Sequence, residues 1–161
     1  MIAPDEIKAN QPPQNLQGVN KDDTNIPGQK NSLKDSFYAT GRRKESSAKV
    51  WIKKGSGNIV VNNVSAVSYF NRTAYIASLM KPFSVTNTVG HFDVVCKVSG
   101  GGSTGQCEAI RLGISKAIDI YNPMLRPLLK KDSLLTRDSR TVERKKYGRH
   151  KARKSTQFSK R

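Results

Sequence analysis

Acidic residues are scarce in this chain. Only 12 Asp and Glu stand against 29 Lys and Arg among 161 residues, a formal net charge of +17. With so few acids the surface cannot neutralise its own cations, and a polyanion relieves the repulsion. Nucleic acid, an anionic membrane face and an acidic protein all qualify. Long apolar runs are missing too. None approaches the roughly 20 residues that span a bilayer, and no charged-then-apolar leader opens the chain. The expectation is a soluble intracellular protein with no membrane partner.

Cysteine and histidine are equally sparse. Cys96 and Cys107 are the two cysteines, with no CxxC or His-x-x-x-His spacing beside them, so two plain thiols are expected, with no metal and no cofactor. His91 and His150 stand apart. No Ser/His, Cys/His or paired-carboxylate set converges in sequence. Neither a catalytic residue nor a small-molecule substrate is expected.

What is present is unevenly spread. Residues 1–36 hold five acids and four bases, residues 37–136 five acids and 14 bases, and residues 137–161 two acids and 11 bases. The first zone is polar, has few large apolar residues and shows no periodicity, which predicts a disordered N-terminal extension. It lacks arginine and carries five acids, so it does not read as a mitochondrial transit peptide. The middle zone carries the fold. Lys49–Lys53 and Asn58–Asn62 read as two strands of a hairpin about the Gly55-Ser56-Gly57 turn. The apolar spacing in 64–80 suits one or two short helices stopped by Pro82. Phe92–Val98 is a third strand. A helix follows from about Gly105 to Tyr121, with Ile110, Ile114, Ala117, Ile118 and Tyr121 on one face. Pro123 opens a further short helix through Leu129. The class is α+β, with helices on one face of a small sheet.

The third zone has no sustained apolar stripe and reads as an extended basic tail, ordered when its charge is neutralised. Arg137, Arg140, Arg144, Lys145, Lys146, Arg149, Lys151, Arg153, Lys154, Lys160 and Arg161 offer guanidinium forks and ammonium charges suited to phosphate. Tyr147 and Phe158 offer ring faces to unpaired bases. A solvated charge run or a localisation signal is the plainer alternative, but 11 bases in 25 residues favour nucleic acid. Two further segments join the candidate interface. Gly41-Arg42-Arg43-Lys44 puts three bases behind a glycine, just before the first strand. Gly100, Gly101 and Gly102 open a strand-to-helix loop whose backbone can approach a phosphate. The run Gly100–Gly105 also matches G-x-G-x-x-G, the turn of a dinucleotide-binding enzyme, but no second parallel strand with an acid follows. That enzyme and a free chaperone-like RNA binder are the rival readings.

Taken together these residues resemble a known family. Tyr38–Lys44, Val98–Gly102 with Gly105-Gln106, Leu135–Arg140, Glu143–Gly148, Lys151–Lys154 and Gln157–Arg161 look like the ninth protein of the small ribosomal subunit in its bacterial form, over 37–161. The resemblance implies a structural protein without catalysis. It implies binding to ribosomal RNA in the subunit head, with neighbouring small-subunit proteins as partners. It implies a tail reaching peptidyl-site tRNA, with Lys160 and Arg161 at the tRNA phosphates. It also implies a four-stranded sheet like the second domain of ribosomal protein S5, with a left-handed crossover. A bacterial cytoplasm is the implied location, an organelle the alternative. Residues 1–36 have no counterpart in the pattern and receive no role; Arg149-His150 stands where other polar or basic residues are common, which leaves His150 unassigned.

Overall fold

The structure, a computed structural model, describes residues 36–159. The expected disorder of 1–36 falls almost wholly outside them, as do Lys160 and Arg161. Strand β1 (Phe37–Arg43) turns at Lys44-Glu45 into β2 (Ser46–Lys54). Then come β3 (Ile59–Val61), β4 (Val64–Ser65), α1 (Ala66–Tyr69), α2 (Thr73–Val85), β5 (Phe92–Ser99) and α3 (Ser103–Tyr121). A 3-10 turn (Pro123–Leu125) leads into α4 (Arg126–Lys131). The sheet is mixed, in the order β1-β2-β5-β3-β4.

Two expectations about the strands are corrected. The hairpin is β1–β2, closed by the Arg43↔Ser46 pair, so Gly41–Arg43 lie within a strand and not ahead of it. The strand at 59–61 does not pair with β2. It runs parallel to β5, which also pairs antiparallel with β2 and so sits between them. The Gly55–Gly57 turn is therefore a connection across the end of β5. Asp93 fastens it, its Oδ1 accepting the amides of Ser56, Gly57 and Asn58 at 2.9–3.0 Å. Partial burial pushes the Asp93 carboxyl up, but the amides of Asn58, Ser56 and Gly57 outweigh it and hold it below the usual carboxylate range.

The sheet has five strands, against four expected. The extra one, β4, pairs with β3 through Val61↔Val64. Its two-residue loop, Asn62-Asn63, has φ of 49° and 67°, the left-handed pair that asparagine tolerates and a tight hairpin needs. Asn62 then continues the ladder with its side chain. Its Nδ2 donates to the Val98 carbonyl, and its Oδ1 accepts the Val98 amide.

Period-two burial divides the sheet. Ala39, Ala48, Val50, Ile52, Val94, Cys96 and Val98 face the helices, and Ile110, Ile114, Ala117 and Ile118 of α3 meet them, all buried. The buried set on α3 is wider than the one stripe expected, taking in Cys107, Ala109 and Leu112, because α2 packs on this helix too. Pro82 does not stop α2; it lies inside the helix, buried. The stop falls at Thr86, whose Oγ1 donates to the Pro82 carbonyl at 2.9 Å.

Close approach decides one glycine. A Cβ on Gly41 would lie 1.8 Å from the Ala109 carbonyl oxygen. Gly41 is what lets β1 and α3 meet backbone to backbone.

Candidate nucleic-acid interface

Three segments singled out in the sequence converge at one end of the sheet. The end of β1 brings Arg43. The loop from β5 to α3 brings Gly100–Gly102. The chain leaving α4 brings Asp138–Arg140.

Arg43 is the hub. It points to the helix side of the sheet and is only 7% exposed. Its Nε pairs with the Glu108 carboxylate of α3, and its Nη2 lies 2.9 Å from Oδ2 of Asp138. Its Nη1 donates to the Arg140 carbonyl at 2.6 Å. The guanidinium fork is thus filled from inside the protein, where the sequence suggests a phosphate. Its neighbours Arg42 and Lys44 are exposed. Arg140 forks back onto Asp138 through Nε and Nη2. The hydrogen bonds of Arg140, with the charge of Arg43, hold the Asp138 carboxyl far below the usual carboxylate range.

The glycine loop packs on the turn beside this hub. Gly100 and Gly101 have φ of 73° and 61°. A Cβ on Gly100 would fall 2.4 Å from the Glu45 carbonyl oxygen, and one on Gly101 2.1 Å from Ser46 Oγ. These glycines serve the fold itself. Gly102 differs, having open space around it and standing at the N-cap of α3 with no side-chain cap. The first amides of that 19-residue helix lack a capping side chain, an arrangement that favours an anion.

Beyond Arg140 the tail is exposed but not simply extended. Arg153 forks onto Glu143 at 2.6 and 2.9 Å, and the His150 amide donates to the Lys154 carbonyl at 2.9 Å. Gly148, with φ of 69°, makes the turn between them. The arm at 143–154 is therefore a closed loop around a concavity of about 490 Å³, lined by Glu143, Arg144, Lys146, Arg149, Ala152 and Arg153. Arg137, Arg144, Lys145, Lys146, Arg149, Lys151 and Lys154 have no acidic partner among the described residues. Tyr147 and Phe158 are 102% and 94% exposed. Of the acids that shape this site, Asp138 and Glu143 lie in segments that carry the family resemblance, but nothing in the sequence pairs them or Glu108 with the arginines they meet.

The described residues contain no group of three or more His, Cys, Asp or Glu placed to hold a metal ion. None of their helices is long and apolar enough to cross a membrane. Cys96 and Cys107 are free and buried.

Comparison with known proteins is decisive on the family. The model of ribosomal protein S9/S16 matches residues 41–161. Small ribosomal subunit protein uS9 of Rickettsia prowazekii is 53% identical over 136 residues, 84% of each chain. Its counterpart in Rickettsia conorii is 54% identical over 125 residues, 78% of this chain and 79% of its own. A basic tail hung from a small α+β domain fits that company: the chain belongs to the S9 family of ribosomal proteins and is structural, not an enzyme.

Proposed function

We propose that this chain is a structural constituent of the small ribosomal subunit, with its globular part on ribosomal RNA of the subunit head and its tail directed to tRNA in the peptidyl site. The supporting observation is the set of tail cations without acidic partners among the described residues. The two acids of residues 137–161 are taken up by Arg43 and Arg140 on one side and by Arg153 on the other. Seven bases with two bare rings then face outward, the combination that neutralises phosphates and stacks on unpaired bases. Arg42, Lys44 and the uncapped first turn of α3 extend the same interface from the domain. Arg43 enters it indirectly, by holding the tail root. Lys160 and Arg161, outside the described residues, are assigned to the tRNA phosphates on the family resemblance. The relatives are bacterial, which supports a cytoplasmic ribosome; an organelle ribosome is the alternative.

Cosedimentation through a high-salt gradient tests the reading. The full chain should travel with small subunits, and a chain that washes off would refute a constituent role. Dialysis against free nucleotides should show no specific uptake at Gly100–Gly105.

A further inference from the structure

The face of the sheet turned away from the helices has its own order. Strand register places Tyr38, Trp51, Val95 and Val60 side by side across four strands. The next row on that face is Thr40, Lys49 and Lys97, and the one after it Arg42, Ser47 and Ser99. An uncharged row that is half aromatic therefore runs beside a basic one. Tyr38 and Val95 are exposed, and the Tyr38 and Trp51 rings are 5.2 Å apart between centroids.

Lys49 and Lys97 are direct cross-strand partners, and both are exposed. Like charges opposite one another weaken a sheet. Neither lysine has an acidic partner among the described residues. Asp93, the acid in this sheet, is tied to the 56–58 backbone. The lysine pair is a local cost that an anion would remove, and the row beside it is suited to a flat ring.

Adjacent rows on one face of a strand are roughly 7 Å apart, the order of span between a base and its own phosphate. We infer that this open face receives an unpaired stretch of RNA, a base stacking on Tyr38 beside Trp51 and the phosphates lying against Lys49, Lys97 and Arg42. The assignment rests on the ribosomal reading above and adds the open sheet face to the RNA-binding surface, with Arg42, already part of the interface, joined by Tyr38, Trp51, Lys49 and Lys97.

The test uses small subunits carrying the full chain. Ultraviolet crosslinking with mass spectrometry should find a nucleotide on the peptide holding Tyr38 or Trp51. Lys49 and Lys97 should acetylate more slowly in the subunit than in the free chain. Lysines equally reactive in both states would overturn the assignment. Slowed acetylation with crosslinks from this face only to protein would overturn it as well, making a neighbouring protein the occupant. A chain absent from the subunit would be a different failure, that of the ribosomal reading itself.

Variants of the full chain supply a second measurement, with labelled single-stranded oligouridine as the probe. Tyr38→Ala should weaken binding about five- to a hundredfold. Lys49→Ala with Lys97→Ala should flatten the dependence of log affinity on log salt by about 1.4. The lysine double variant should melt no lower than the parent, since it removes a repulsion, so weakened binding would not reflect a failure to fold. Unchanged affinity and slope in the folded variants would overturn the assignment.

Discussion

Nη2 of Arg43 lies 2.9 Å from Oδ2 of Asp138, across 95 residues of sequence. With the Arg140 carbonyl accepting from the same guanidinium, this ion pair sets where the basic tail leaves the domain. Arg43→Ala would leave the Glu108 carboxylate without its cation and Asp138 held by Arg140 alone. Both acids are about one-third exposed and Asp138 keeps Arg140, so the loss of stability should fall well below that of breaking a fully buried pair. Denaturant midpoints would measure it. The sharper reading is limited trypsin digestion, which should cut earlier at Arg137 and Arg140 in the variant. Unaltered cleavage there would mean that Arg43 does not anchor the tail.

The carboxyls of Asp93 and Asp138 both sit below their usual range. Their contribution to stability is complete above the unfolded value, about 3.9, and disappears as pH falls through the depressed folded values. They therefore add no pH dependence between about pH 8 and 5. Urea midpoints should agree at about pH 7 and 5 and drop at about pH 3. A marked fall between the first two would assign the sensitivity to other groups.

Burial pushes the Cys96 thiol up to about 12 and raises that of Cys107 as well. Thiolate is the reactive form. Native protein at mildly alkaline pH should resist iodoacetamide at both positions and take up two equivalents once unfolded in denaturant. Rapid native labelling would show that the sheet opens locally at β5 or that α3 lifts from it.

Gly41→Ala places a methyl group where the Ala109 carbonyl oxygen already lies. Backbone cannot yield as a side-chain tip does, so a loss of about 3 kcal/mol is expected, read from urea unfolding. Gly102→Ala meets open space and should lose no more than about 1 kcal/mol, the preference of an N-cap for glycine over alanine.

Deleting residues 137–161 should weaken RNA binding and flatten its salt dependence by about 0.7 to 0.9 for each phosphate no longer neutralised. Removing only Lys160 and Arg161 should spare subunit assembly and loosen peptidyl-site tRNA. tRNA retention on purified subunits separates the two effects.

The elements legible in the sequence are those whose pattern is internal to them. Alternation marks β5, and the 3.6-residue spacing of Ile110, Ile114, Ala117 and Ile118 marks α3. Pairing is not legible. Lys49–Lys53 and Asn58–Asn62 look like neighbours because a glycine turn joins them, yet the partner of both is 92–99, which arrives after a two-helix crossover. Pro82 looks like a stop because local chemistry opposes proline inside a helix, and the burial that outweighs this comes from tertiary packing. The site divides the same way. Exposed tail cations are legible as charge. Arg43 reads as a phosphate ligand, because nothing local reveals that Glu108 and Asp138, far along the chain, occupy its fork.

The central position of β5 has a consequence for synthesis. β1 and β2 emerge first and can close as a hairpin, but the far edge of β2 has no neighbour until residues 92–99 appear. β3 waits for the same strand. During that interval the β2 edge carries Lys49, Lys53 and Lys54, and charge of this kind discourages pairing with another chain. Lys49, which crowds Lys97 in the finished sheet, is thus also a guard of the unfinished one.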